Sequence, residues 1–235
     1  MDGSKVVIIV SGGMDSTTLL YDIVNKVGQE NVHALSFFYG SKHNAEELPK
    51  AQATCEKLGV KHKLIDVSEV FANYSSNLLN GGAEIPTGHY AQDNMKQTIV
   101  PFRNGILLAM AVGYAETIGA KEVLYGSHQG DHFIYEDCRP EFVDAFSSAA
   151  RLGTMGKITV KAPYSLIDKS GILGRGIELG VDYSLTHTCY SPTEDGMSCG
   201  KCGACCERLE AFAVNNAVDP LVYVDREFYK TVTGK

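Results

Sequence analysis

Val6-Val7-Ile8-Ile9-Val10-Ser11-Gly12-Gly13-Met14-Asp15-Ser16-Thr17-Thr18-Leu19-Leu20 decides the fold of this 235-residue chain. Its five opening residues are β-branched and apolar without alternation, the pattern of a strand buried on both faces of a parallel sheet. A Ser-Gly-Gly turn follows. Asp15 and Ser16, residues that favour helix starts, then precede the apolar Leu19, Leu20 and Ile23. Strand, glycine turn and helix N-terminus form an anion cradle, because glycine lets the backbone approach and successive N–H groups point outward. The expected ligand is a phosphate. A Walker loop would need a lysine and a Rossmann loop spaced glycines, and neither is present.

Composition narrows the class. A net charge of −7 argues against non-specific nucleic-acid binding. No apolar run is long enough to cross a bilayer, and no leader-like segment precedes the first strand, so a cytoplasmic enzyme is expected. Seven cysteines with no secretory signal point to reduced thiols and a metal site. The length suits one α/β domain over 1–235, with 186–215 as a small metal-binding appendage.

Along the chain, helices are expected from Asp15 to about Val27, from Asn44 to Leu58 and from Gly105 to Ile118. Strands are expected over Asn31–Phe38, Lys61–Val67 and Glu122–Gly126. Alternation at this spacing predicts right-handed βαβ units and a doubly wound parallel sheet, with substrates bound beyond the C-terminal strand ends. Pro49 inside its helix predicts a kink or a later start. Residues 68–100 carry Gly81-Gly82 and Pro86 among Asn and Ser; a short helix over Val70–Leu79 and then a mobile lid or a plain surface insertion are expected. Arg103, at a helix start above the sheet, is a candidate fork for phosphate or carboxylate.

Two constellations carry chemistry. The stretch Gly126–Phe142 mixes acids, histidines, aromatics and Arg139 where the fold places a substrate pocket. It reads equally as a base-binding wall and as a polar loop before the helix at Pro140. Cys189, Cys199, Cys202 and Cys205 form C-x₉-C-x₂-C-x₂-C. That spacing suits a closed tetrahedral zinc site; an iron–sulfur cluster is the rival, although the cysteine and proline that close the ferredoxin run are missing. Cys206 is left outside the set.

The loop Ser11-Gly12-Gly13-x-Asp15-Ser16-Thr17-Thr18 resembles the pyrophosphatase loop of the N-type ATP pyrophosphatases. Tyr39-Gly40-x-x-His43, Val100-Pro101-x-Arg103-Asn104, Asp131-x-x-x-Tyr135-x-Asp137-Cys138-Arg139-x-x-Phe142, Ala162-Pro163 with Asp168-Lys169, and the four cysteines extend this to the QueC family of 7-cyano-7-deazaguanine synthases. The resemblance covers about Val6 to Phe212 and implies an adenine nucleotide alpha hydrolase-like fold. It assigns ATP with magnesium to Val10, Ser11, Gly12, Gly13, Met14, Asp15, Ser16, Thr17, Thr18, Leu19 and Leu20. Catalysis falls to Asp15, Arg103 and Lys169, substrate binding to Tyr39, His43, Asp131, Tyr135, Asp137 and Arg139, and structural zinc to the four cysteines. The implied reaction takes 7-carboxy-7-deazaguanine, ammonia and ATP to the nitrile through an adenylated acid and an adenylated amide, in a homodimer. The family commonly has Gly at Phe102, Gln at Ser41 and Ser-Gly-Tyr-Pro at Phe133–Glu136. Alternatives are an adenylating enzyme that hands an activated deazaguanine to a protein or nucleic-acid amine, and a zinc-stabilised binding module without catalysis.

Overall fold

A computed structural model describes residues 4–89 and 93–233. Five parallel strands, β1 (Val6–Ile9), β2 (Val32–Phe38), β3 (Lys61–Asp66), β4 (Glu122–Leu124) and β5 (Thr159–Lys161), lie in the order β3-β2-β1-β4-β5. Val6 registers with Val32 on one side and with Glu122 on the other. Strand order reverses at β1, so the Ser-Gly-Gly turn leaves the sheet at the topological switch point, where crevices open in such folds.

The helices are α1 (Met14–Val27), α2 (Asn44–Leu58), α3 (Ser68–Phe71), α4 (Arg103–Ile118), α5 (Pro140–Gly153), α6 (Lys169–Glu178), α7 (Gly203–Val214) and α8 (Phe228–Thr233). They cover both sheet faces, which is why β1 carries no polar residue. Val7, Leu35 and Val123 pack with Leu108 and Ala111 of α4 on one face. Val6, Ile8, Ala34 and Leu124 pack with Leu19, Leu20 and Ile172 on the other. A third cluster gathers Met95, Ile134, Tyr223 and Tyr229 around the C-terminal cysteines.

Several expectations shift. Helix α1 begins at Met14, so Asp15 and Ser16 sit inside its first turn; Gly13 is the N-cap and supplies no side-chain bond. Helix α2 accepts Pro49 without a break, at its sixth residue. The helix expected over 70–79 is one turn, α3, because Ser75, Ser76 and Asn77 favour turns. The segment read as a lid or a plain surface insertion touches the rest of the chain at several points. Leu79 bridges Ser41 and Thr87 bridges Cys202. Lys42 Nζ donates to the carbonyls of Gly82 and Ala83 at 2.9 and 2.7 Å. Residues 90–92 of that segment lie outside the described residues.

Candidate active site and metal centre

The loop after β1 is closed by its own side chains. Ser11 Oγ accepts from the Gly13 N–H at 3.1 Å, and Ser16 Oγ accepts from the Ser11 N–H at 3.2 Å. Gly12 has φ +99°, and a Cβ there would lie 2.1 Å from the Glu47 carbonyl of α2. Both the dihedral and the close approach demand glycine. The first-turn N–H groups of α1, with no side-chain cap, face a cavity of about 190 Å³.

Two polar chains converge on that cavity. Lys169, at the start of α6 and 6 % exposed, places Nζ 3.1 Å from Asp15 Oδ2 and 2.9 Å from Glu207 Oε2. Burial opposes its charge, but Asp15 and Glu207 outweigh it and raise its pKa. His128 Nδ1 accepts from the Gly130 N–H at 3.0 Å, which leaves the proton on Nε2. That nitrogen faces Asp131, Glu207 and Asp15 carboxylate oxygens at 3.5, 3.8 and 4.0 Å.

The second chain runs from α4 to α2. Arg103 Nη1 donates to Tyr39 Oη at 3.1 Å, and Tyr39 Oη lies 3.3 Å from His43 Nε2. Since Tyr39 accepts from Arg103, its own hydrogen is available to His43. Burial drives the His43 pKa down to about 3, with Arg103 adding to the effect, so the ring is neutral. Arg103 loses charge stability to burial, yet Tyr39 and Asp137 more than restore it. Asp137 Oδ2 accepts from the Asn104 N–H at 2.8 Å and so anchors the start of α4.

The cavity wall includes Val10, Ser11, Gly13, Asp15 and Ser16 from the loop, and Tyr39, His43, Arg103, Asp131, Tyr135 and Lys169 from the other candidates. Other candidates lie elsewhere. Leu19 and Leu20 are wholly buried between α1 and the sheet, and Met14 packs on Leu173 and Phe212. Thr18 Oγ1 donates to the Met14 carbonyl and meets Tyr183 Oη, away from the cavity. Thr17 is fully buried. Arg139 is on the surface, where Nε donates to the His132 carbonyl at 3.0 Å and the fork pairs with Glu136. Glu47, Tyr190 and Glu207 bear on the cavity without having been singled out, and Asn104 and His128, quoted only within longer stretches, line it too. Glu207 stands two residues after Cys205 and carries no local signal; only the packing of α7 on α6 brings it to Lys169.

Cys189, Cys199, Cys202 and Cys205 present sulfurs that all lie within 4.8 Å of one another. The Cys199–Cys205 Sγ separation of 4.0 Å is far beyond a disulfide and close to the roughly 3.8 Å edge of a tetrahedron with 2.3 Å metal–sulfur bonds. Backbone N–H groups of Lys201 and Cys202 donate to Cys199 Sγ, and those of Ser191 and Cys199 donate to Cys189 Sγ. Coupling among the thiols holds the Cys199 pKa far below its ordinary range and pushes those of Cys189 and Cys205 above it. The sulfur spacing and the N–H donors to Cys189 and Cys199 fit a metal bound as thiolates. Burial pushes the Cys206 thiol up to about 12, and its sulfur points at the Gly200 and Lys201 carbonyls.

Comparison with known proteins supplies the family. A family model described as queuosine biosynthesis protein QueC matches residues 5–216. The 7-cyano-7-deazaguanine synthase of Pseudoalteromonas atlantica is 51% identical over 219 residues, 93% of this chain and 98% of the relative. The 7-cyano-7-deazaguanine synthase 1 of Colwellia psychrerythraea is 49% identical with the same coverage. Among solved structures, the U34-tRNA thiolase NcsA from Methanococcus maripaludis with its [4Fe-4S] cluster aligns with a TM-score of 0.51 at 16% identity, over 100% of this chain and 72% of that one. That likeness shows a shared fold and nothing more. This chain belongs to the queuosine biosynthesis protein QueC family.

Proposed function

We propose that this chain converts 7-carboxy-7-deazaguanine and ammonia to 7-cyano-7-deazaguanine, consuming two ATP and releasing AMP and pyrophosphate. One observation carries the chemistry: an uncapped helix N-terminus, Lys169 and Arg103 all open into one cavity at the switch point of the sheet. A polyanion there would serve as the missing cap of α1. The relatives named above supply the product.

The substrate carboxylate attacks the ATP α-phosphorus, and the pyrophosphate leaves into the Ser11–Ser16 loop. Ammonia displaces AMP to give the amide; a second ATP adenylates the amide oxygen, and AMP departs as the nitrile forms. Lys169 and Arg103 offset the phosphate and carboxylate charge and hold the reactants in line. Tyr39, His43, Asp131 and Tyr135 form the substrate side, and Asp137 keeps the Arg103 turn in place. Asp15 is the residue that would hold magnesium, which neutralises phosphate charge. Cys189, Cys199, Cys202 and Cys205 would hold zinc, a closed set with no open position, so its part is structural. We read 1–235 as a single domain with 186–215 as its metal-binding appendage, acting as a cytoplasmic homodimer. The family resemblance supports the dimer. Among the described residues no helix is long and apolar enough to cross a membrane.

Neither transfer to a macromolecular amine nor a purely binding role gains an observation from the relatives. The test is mass spectrometry of a reaction containing the zinc-loaded protein, Mg-ATP, ammonium and 7-carboxy-7-deazaguanine. Nitrile together with AMP is the expected result. AMP without nitrile would redirect the search to another acceptor, and no AMP at all would end the adenylation reading.

A further inference from the structure

Glu47 is the anomaly of the cavity. It is 8 % exposed, one helical turn beyond His43, and its carboxyl lines the cavity beside Ser11, Gly13 and Asp15. Helix α2 is pressed so closely on the loop that only glycine fits at position 12. Among the described residues the carboxyl accepts no side-chain hydrogen bond, and its nearest partner is His43 Nε2 at 3.7 Å. That contact is not an ion pair, since His43 is neutral and its Nε2 faces the Tyr39 hydroxyl.

A carboxylate here is out of keeping with the ligands. ATP, pyrophosphate and the substrate acid are all anions, and Asp15 adds another negative charge nearby. A buried acid in such a place needs either a proton or a cation. Ammonium is the cationic substrate of the reaction proposed above. Resting on that reading, we propose that Glu47 is a catalytic residue that binds the ammonium ion and removes its proton, and later takes the N–H proton lost as the nitrile forms.

The steps balance. Glu47 carboxylate takes one proton from ammonium, and the freed lone pair attacks the acyl-adenylate carbon. The C–N bond forms, the C–O bond to AMP breaks, AMP leaves with that electron pair, and the nitrogen's surplus proton passes to water. Glu47 then releases its own proton to water. After the amide oxygen has displaced pyrophosphate from the second ATP, the nitrogen sheds one proton to water and the last to Glu47 as the second C–O bond breaks. The groups facing Glu47 are Asp15 from the loop, His43 at the N-cap of its own helix, Tyr39 just after β2 and Arg103 from α4. Burial pushes its pKa up to about 8, with Arg103 pulling the other way and Asp15 adding to the rise. A base poised near the working pH exchanges protons most efficiently.

The experiment is Glu47→Gln in the zinc-loaded full chain, read by three assays. Substrate-dependent ATP–pyrophosphate exchange reports adenylation and stays within about threefold of wild type. Ammonium-dependent amide and nitrile formation falls roughly 10²–10⁴-fold, the usual worth of a general base, with a raised KM for ammonium. Hydroxylamine, already neutral at pH 7, traps the acyl-adenylate as hydroxamate at near wild-type rate, because it needs no proton removed. Glu47→Asp regains part of the ammonium activity. Unchanged ammonium kinetics in Glu47→Gln would overturn the assignment. Loss of exchange in both variants, or hydroxylamine failing along with ammonium, would overturn it too and place Glu47 in ATP or magnesium binding. Absence of exchange in the wild type would remove the adenylation reading and this role with it.

Discussion

Phe102 shows how a single residue can hold a strained backbone. Its φ of 53° lies in the left-handed region, and its ring sits where any Cβ on Gly105 would clash. Glycine in its place would fit the dihedral without strain. Phe102→Gly should relieve about 1 kcal/mol of backbone strain and forfeit a similar amount from the edge-to-face contact with Phe142, whose ring centroid is 5.8 Å away. Urea denaturation is expected to place the variant within about 1 kcal/mol of wild type, whereas Phe102→Val, β-branched at positive φ, should lose roughly 2 kcal/mol. Glu47 makes a second prediction at this scale. Its pKa rises from 4.5 unfolded to about 8 folded, so the native state holds the proton more tightly. Stability from this group is therefore complete below pH 4.5 and is lost as pH climbs through 8. Thermal melts of Glu47→Gln should match wild type near pH 4 and exceed it increasingly toward pH 8.5, by on the order of 3–5 kcal/mol at the limit.

Helix α7 does two jobs as one element. Its first two turns deliver Cys205 to the four-cysteine set and Glu207 to Lys169, while Arg208, wholly buried, locks it to the chain on either side. Arg208 forms a bidentate pair with Asp219 at 2.7 and 2.9 Å and donates to Thr186, Thr188 and the Tyr183 carbonyl. Arg208→Met should cost about 3–5 kcal/mol in chemical denaturation, because Asp219 is left buried with its charge unmatched. Adding Asp219→Leu to that variant should recover part of the loss.

Across the whole molecule, the four-cysteine cluster and the Ser11–Ser16 loop are joined through α7 and α6, and Thr87 and Gly88 reach Cys202 and Lys201 from the far side. Chelating the metal from the native protein is expected to raise hydrogen exchange in 85–89 and 199–214 and to weaken ATP binding, while the five-stranded sheet stays protected. Equal exchange with and without metal would refute that linkage. Lys169→Met tests the other end: it leaves Asp15 and Glu207 facing incoming phosphates uncompensated, and pyrophosphate exchange should fall about 10²–10³-fold.

The parallel strand, the glycine turn and the cysteine spacing were legible in the residues alone, because each rests on local chemistry. Unbroken β-branched residues suit only a strand covered on both faces, Gly12 suits a positive dihedral, and two C-x₂-C steps bring thiolates to one point. The parallel alternation of strands and helices follows from the same periodicity, and the start of α4 at Arg103 lies two residues from its expected place; the sheet order came only with the structure. Tertiary structure alone decided which loop residues look outward and which partners meet. Leu19, Leu20 and Thr18 belong to the loop's sequence but turn inward, because a helix beginning at Met14 has 3.6 residues per turn and shows the cavity only its first. Glu207 meets Lys169 across 38 positions of sequence, and Glu47 meets the loop through the approach of α2; no local pattern encodes either contact. A buried charge draws its meaning from what surrounds it, and those surroundings exist only once the chain has folded.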